Sequence, residues 1–536
     1  MITVDPITQE ILRHAFSGIA EEMAVVEYRS SFSPIIREML DFSCGTFDAR
    51  GRMISHAEQI PAQLGLMQFA LEEAIATLGP LERGDVALCN HPYRGGTHTP
   101  DLQLFMPAHD GDGNLVAYTG SIAHHVDIGG RVPGTESTEN TQLFQEGILL
   151  PPVKLADRGR RNAALYDVIA ANVRDPEATL GDLAAQVAAC RRGTKRIAEL
   201  CARYSTEVLR AAIESLLEQT SQRTAAELAS WPLDAVEAEG FLDDDGLTPE
   251  TPVRIAATVQ VRGGELHVDL SRSAPQVAGG INVPWASTHA GVFFAVRCFL
   301  GSEIPQNDGL TRHIIVTAPE GSVLRPRFPA AVSARHLTVQ RLADVLCEAL
   351  GNLLPDRAVA AAHVSFPAFI VQATDPRTGR PSFLTDILGG GGGARRGCDG
   401  DHGIDTYTSS CAILPVEVAE LEYPWLIERS ELVEGSGGAG RTQGGWAIRR
   451  DYRLVGEGAE GPYYVEQTNP TFAARGREGG VPGAPAAAFL RRAGAQAEEP
   501  LPGKGYLRLE RGDVVSFVSS GGGGFGRKPK APSTGR

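Results

Sequence analysis

The apolar positions of this chain change period several times, and each change predicts an element. An N-cap acid and a proline, Asp5-Pro6, open a run with helical spacing that extends to about Glu27. Residues 41–55 switch to short alternating runs around Asp48-Ala-Arg-Gly, the pattern of a hairpin. Leu64 to Leu78 reads as a helix. Strands follow at Asp85–Cys89, Leu102–Pro107 and Val116–Ala123. From Glu177 to Ser230 the pattern is helical, rich in alanine and leucine, with a break expected near Gly193. Residues 250–330 read as β, with a Gly263-Gly264 turn inside Val253–Leu270, and Leu337 to Leu350 reads as a helix. Short strands and glycine-rich loops then alternate to about residue 455. Residues 479–486 read as an exposed loop or linker.

These runs predict an α+β, mixed multi-domain chain with β-rich regions, a central helical segment and glycine-rich loops. The expected divisions are an α/β region at 1–175, a helical segment at 176–235 and a β-rich region with a helix at 236–360. A glycine-rich β region at 361–526 and a disordered basic tail at 527–536 complete them. The glycines are spent unevenly. Unbroken runs at 389–393 and 521–524 are costly in helix or strand, and predict places where backbone bends or meets a ligand closely.

Composition narrows the function classes. A net charge of −15 leaves no basic surplus for nucleic acid. No stretch approaches a membrane span, and the N-terminus has no basic start before an apolar run, so a cytoplasmic protein is expected. The eight cysteines are scattered without a C-x-x-C pair, as expected for reduced thiols.

The chemistry concentrates in two loops. Residues 91–101 read His-Pro-Tyr-Arg-Gly-Gly-Thr-His-Thr-Pro-Asp, and residues 121–130 read Ser-Ile-Ala-His-His-Val-Asp-Ile-Gly-Gly. Imidazole and carboxylate are the usual ligands of a catalytic divalent metal. A single histidine among 13 is more often a hydrogen-bonded structural residue; the conjunction of two such arms is what points to a metal. His98 and Asp101 form one arm, stiffened by Pro100 and turned by Gly95-Gly96. His124-His125-Val-Asp127 forms the other. Adjacent residues on a strand point to opposite faces, so one of His124 and His125 reaches a shared ion. The other would serve as general acid or base, or orient a ligand. Asp41, where a strand begins, is a further carboxylate. Gly435-Ser-Gly-Gly-Ala-Gly-Arg-Thr442 imitates a phosphate loop, but a strand pattern follows it where a helix N-terminus is required. The Gly389 run leads into Arg395-Arg396, an arrangement able to hold an anion.

Taken in order, these blocks resemble the hydantoinase B/oxoprolinase family. It comprises B subunits of ATP-dependent hydantoinases, including N-methylhydantoinase, and the C-terminal part of 5-oxoprolinase. More distant members are subunits of acetone and acetophenone carboxylases. The matching blocks also include Arg37–Phe47, Glu146–Pro152, Asp269–Gln276, Gly280–Asn282, Ile304–Gly309, Ala331–Arg335, Ser436–Arg441 and Gly521–Gly526. The resemblance implies a hydrolase acting on cyclic amides or imides within a hetero-oligomer. A separate hydantoinase A-type subunit would bind ATP and phosphorylate the ring carbonyl oxygen. The B subunit would hydrolyse the activated ring at a divalent metal (Mn, Zn or Mg). The family's ligands correspond to His98, Asp101 and most closely His124, with Asp41 as a fourth, while His125 or Asp127 would move the proton as catalytic residues. Arg395 and Arg396 remain the anion- or substrate-binding pair. Gln63 stands where relatives often carry histidine. The alternatives are the large subunit of an ATP-dependent ketone carboxylase and a non-catalytic scaffold with a structural metal.

Overall fold

The structure is a computed structural model that describes residues 4–57, 59–63 and 65–528. Most of the basic tail, from residue 529 onward, and the expected helix start at Leu64 lie outside the described residues. The described residues form four sheets and a set of packed helices, a mixed α+β architecture.

The first sheet has seven strands in the order Met53–His56, Phe42–Asp48, Leu115–His124, Asp101–His109, Val86–Cys89, Val153–Asp157 and Arg160–Arg161, each antiparallel to its neighbour. Its faces separate by the two-residue period of a strand. Leu102, Leu104 and Met106 join the main core beneath the helices Pro6–Ser30 and Pro176–Tyr204. Phe105, Tyr118 and Ile122 join a second cluster under the helix Met67–Leu78. The first helix begins as the sequence predicts, with Asp5 Oδ1 accepting from the amides of Ile7 and Thr8. The break expected at Gly193 falls instead at Ser205, whose φ is +71°. Gly193 sits inside a continuous helix because a Cβ there would lie 2.3 Å from Met23 Sδ.

The second sheet is ordered Ile314–Thr317, Glu265–Asp269, Val253–Arg262, Val236–Leu242. The helix Arg335–Leu353 lies between it and the helix Trp285–Phe299. The latter falls inside the stretch read as β. Its apolar residues surround the helix on nearly all sides, which hides the 3.6 period. The third sheet, Pro381–Ile387, Ala368–Thr374, Gly458–Tyr464, Lys504–Glu510, faces the fourth. That sheet is ordered Trp425–Val433, Ala447–Leu454, Val514–Val518, Ala487–Arg491, Glu499–Leu501. Between them Phe369 packs 5.1 Å from Trp425, 5.0 Å from Tyr452 and 5.4 Å from Phe517, ring centre to ring centre. One hydrophobic cluster extends from Leu12 to Phe517 through all four sheets.

The glycine runs are not flexible loops. Gly391 donates to Ser520 O, Gly392 to Asp401 O, Gly444 to Gly438 O and Gly522 to Gly445 O, so these extended segments bundle side by side. A Cβ on Gly391 would lie 2.1 Å from Gly445 O, and one on Gly522 1.9 Å from Gly392 O. Backbone approach of this kind excludes any side chain. Residues 479–486 belong to the same bundle, Gly480 facing Gly524 and Gly483 facing Gly521, and are not a linker. The described cysteines are all free. Among the described residues no helix is long and apolar enough to cross a membrane.

Candidate metal centre

Three adjacent strands deliver the first donors to one point. Asp101 and His124 are direct cross-strand partners at the ends of their strands. On the other side of His124, its amide donates to Asp41 O at 3.0 Å, just before Phe42 pairs with Ala123. His98 arrives from the preceding loop. Gly95 turns that loop at φ +86° and lies so close to the helix Met67–Leu78 that a Cβ would sit 2.5 Å from Ala70 N. His91 structures the loop, its Nδ1 accepting from the Tyr93 amide at 3.2 Å.

The result is a buried knot of donors. His98 Nε2 is 3.0 Å from Asp101 Oδ1, His124 Nδ1 is 3.1 Å from the same oxygen, and the two nitrogens are 3.3 Å apart. His98 Nδ1 donates to Ser333 O at 2.8 Å, which orients the ring so that Nε2 faces Asp101 and His124. Asp101 Oδ2 accepts from Thr97 Oγ1 at 2.5 Å and from Arg335 at 2.8 Å. Glu136 Oε1 is 3.0 Å from His98 Nδ1 and 3.8 Å from His124 Nε2, and Tyr464 Oη donates to Glu136 Oε2 at 2.6 Å. His336 follows Arg335 at the start of its helix, its ring centre 4.7 Å from that of Phe366 and tilted by 36°. Two overlapping sets, His98/Asp101/His124 and His98/Glu136/His336, each bring three donor atoms within 4.8 Å of one another.

Electrostatics tie the members together. Burial alone would depress His98, but the carboxylates of Asp101 and Glu136 outweigh it and push the imidazole up to about 10. Against the burial that opposes it, Asp101 is held well below the usual carboxylate range by His98 and His124. Glu136 is drawn down to about 2 by His336, His98 and His124, again against burial. Burial pushes Asp41 up to about 6 and His336 down to about 3. Protons on the imidazoles thus balance buried carboxylates, a role that a divalent cation takes when it displaces them.

The cluster opens into a cavity of about 530 Å³, counting its solvent-open part, walled by Ile60, Gln63, Phe366, Ile387, Cys411 and Tyr464. Asp41 lies on this wall with Gln63 Nε2 3.5 Å from its Oδ1. Among the described residues, Gln63 Oε1, His336 Nε2 and Arg335 Nε are buried without a partner.

Other candidates lie elsewhere. His125 points to the opposite face of the sheet, as strand alternation requires, where its Nε2 meets Gln186 Oε1 at 3.1 Å. Asp127 ties a loop, accepting from the amides of Gly129, Gly134 and Arg174 and from the Arg174 guanidinium. Neither reaches the cavity, so the structure offers no proton-transfer geometry for them; Asp127 instead fixes the loop that presents Glu136. Arg396 pairs with Asp356 at 3.1 Å and Glu478 at 3.0 Å on the surface, while Arg395 joins the glycine bundle through its backbone. The amides of Gly390, Gly391 and Gly392 donate to backbone carbonyls, so that run offers none of them to an anion. Gly435–Thr442 is followed by the strand Ala447–Leu454 and lacks the helix a phosphate loop needs.

No motif in the sequence singles out Glu136, His336, Arg335 or Tyr464 as site residues. Glu136 sits in a Thr-Glu-Ser-Thr stretch without ligand spacing, and Tyr464 comes from a distant sheet. The one available signal is Ala331–Arg335, a block shared with the resembled family and followed directly by a histidine.

The family model for hydantoinase B/oxoprolinase matches residues 5–528. The putative B subunit of a D-/L-hydantoinase from Pseudomonas sp. is 30% identical, over 98% of this chain and 90% of its own. A 5-oxoprolinase of Pestalotiopsis fici is 29% identical over 99% of this chain, which spans 42% of that longer protein. The crystal structure of an ATP-dependent caprolactamase from Pseudomonas jessenii superimposes with a TM-score of 0.91 at 29% identity, covering 99% of this chain and 93% of that one.

Proposed function

The chain belongs to the hydantoinase B/oxoprolinase family, and from that premise we propose that it is the hydrolytic subunit of an ATP-dependent cyclic amide or imide hydrolase. A separate hydantoinase A-type subunit activates the ring by phosphorylating its carbonyl oxygen, and this chain opens it. The observation that carries the reading is the buried His98/Asp101/His124 knot at the floor of a cavity. Support for a partner comes from the hydantoinase relative, named as one subunit of a larger enzyme, and from the 5-oxoprolinase, of which this chain matches less than half. The assembly would work in the cytoplasm, where ATP is supplied.

The donor set fits a divalent ion. Ligand atoms about 2.1 Å from one ion stand roughly 3.0–3.4 Å apart, and the separations here are 3.0, 3.1 and 3.3 Å. The mixed imidazole and carboxylate donors suit Mn, Zn or Mg less by softness than by geometry. His98, Asp101 and His124 would hold the ion, with Asp41 as a further carboxylate on the wall. Such an ion supplies Lewis acidity near neutral pH. Ser333 O fixes the tautomer of His98, and Arg335 fixes the second oxygen of Asp101. Glu136, oriented by Tyr464, is the carboxylate placed to hold or pass a proton at Oε1, and it takes the general-base role in place of His125 and Asp127.

The test is to co-purify the chain with its A-type partner and assay ring opening across lactams, hydantoins and 5-oxoproline. ATP-dependent ring opening that disappears in His98→Ala, with the melting temperature retained, supports the reading. Ring opening by this chain alone without ATP contradicts the partner model. Product formation only with bicarbonate and a ketone points to a carboxylase. Undiminished specific activity in a destabilised His98→Ala points to a scaffold.

A further inference from the structure

Between the helix Arg335–Leu353 and the glycine bundle lies a crevice of about 340 Å³, counting its solvent-open part, that shares no lining residue with the metal cavity. The helix lends it Asp344 and Glu348, and the bundle lends it Arg475, Gly476 and Arg477. Both acids are already matched. Asp344 Oδ2 pairs with Arg341 at 2.7 Å, and its Oδ1 accepts from Tyr407 Oη at 2.7 Å. Glu348 Oε2 pairs with Arg475 at 2.5 Å.

Arg477 is the charge left over. Among the described residues no carboxylate lies within ion-pair distance of it, and its side-chain bond runs from Nη2 to the neutral Asn352 Oδ1 at 2.8 Å. Backbone alone secures its place in the bundle, the amide donating to Gly524 O and the carbonyl accepting from Gly480. The guanidinium is therefore not needed there. Gly351 gives it room, since a Cβ at that position would lie 3.1 Å from Arg477 Nη1. Burial draws the group below the usual guanidinium range, against the opposing pull of Glu348 and Glu478. A half-buried charge without a partner costs free energy unless a counter-ion completes it. Further donors line the same crevice. Arg475 spends only Nη2, on Glu239 O and Glu348, and the Gly476 amide between the two arginines has no acceptor among the described residues. Two guanidinium groups and a backbone N–H suit the oxygens of a tetrahedral oxyanion. The Tyr407 wall is preformed: its φ of +53° is kept by Oη bonds to Asp344 and the Ala362 amide.

We propose that this crevice binds a free phosphate ion between Arg477, Arg475 and the Gly476 amide. The site is separate from the metal centre and does not depend on the hydrolytic reading.

Two measurements on the full chain test this. Selenate, a tetrahedral dianion visible by anomalous scattering, locates the site in crystals. Calorimetry with inorganic phosphate, against chloride at equal ionic strength, measures it in solution. The expected results are a selenate peak about 4 Å from Arg477 Cζ and phosphate binding that chloride does not reproduce. Arg477→Met should weaken phosphate by about tenfold or more. Arg477→Lys, which keeps the charge but not the planar fork, should weaken it by about threefold. His98→Ala should retain the binding, which sets this site apart from phosphate captured at the metal centre. The wild-type crystal stands even if the Arg477 variants misfold. Absence of a selenate peak in the crevice would overturn the proposal. So would a peak without phosphate binding in solution, which marks an adventitious ion only. Equal binding of chloride, unchanged affinity in folded Arg477→Met, or binding lost in folded His98→Ala would do the same.

Discussion

Glu146 offers a test of how the centre is held, because it acts on the ligands without touching them. Its Oε1 accepts from the amides of Val332 at 2.7 Å and Ser333 at 2.9 Å, and the Ser333 carbonyl in turn takes the Nδ1 proton of His98. Thr99, next to His98, donates to the Glu146 carbonyl oxygen. Glu146→Leu would strand two buried amides, at about 1–3 kcal/mol each. Removing a buried carboxyl with its own unpaired Oε2 recovers part of that, which leaves a net loss of about 2–4 kcal/mol. Once the Ser333 carbonyl is free to turn, His98 loses its fixed tautomer, and metal affinity should fall by about 10- to 100-fold. Glu146→Gln keeps an acceptor oxygen, so it should stay within about 1 kcal/mol of wild type and about threefold in affinity. Urea denaturation and chelator competition measure the two quantities. A Glu146→Leu variant with wild-type metal affinity, whatever its stability, would refute the relay through Ser333.

Other consequences follow from single contacts. Burial pushes Glu27 up to about 8, so the folded state keeps a proton that the unfolded chain releases above about pH 4.5. Stability should fall as pH rises from about 5 to 8, and Glu27→Gln should flatten the urea-denaturation profile by up to about 4 kcal/mol. Gly522→Ala forces a Cβ to 1.9 Å from Gly392 O and should cost on the order of 3 kcal/mol or more. The control Gly18→Ala, with nothing within 4 Å, should gain about 0.5–1 kcal/mol in the same assay. Tyr464→Phe removes the donor to Glu136 Oε2 and should lower kcat more than metal content, read by steady-state kinetics beside elemental analysis. Arg396→Ala should leave kcat and KM unchanged, since its partners are surface acids outside the cavity.

Much of the scaffold was legible because it obeys local rules. Asp5-Pro6 starts a helix, Asp48–Gly51 turns a hairpin, and Leu102–Pro107 reads as a strand, which the structure buries on both faces. His98, Asp101 and His124 could be seen together because the chain between them is one hairpin of paired strands. What stayed hidden depends on long-range packing. Glu136 is placed by a loop tied to Asp127, Arg335 and His336 by a helix start, and Tyr464 by another sheet. No spacing encodes such convergence. The glycine runs misled for a related reason: composition reports backbone freedom, whereas here glycine is required for the close contact of extended chains.

The central claim is that one divalent ion sits among His98, Asp101 and His124. Anomalous diffraction at the manganese edge, on crystals grown with that ion and active in ring opening, tests it directly. The account predicts a single strong peak at about 2.0–2.3 Å from His98 Nε2, an Asp101 carboxylate oxygen and His124 Nδ1. A peak elsewhere, or none at this cluster in protein that turns over, would contradict it.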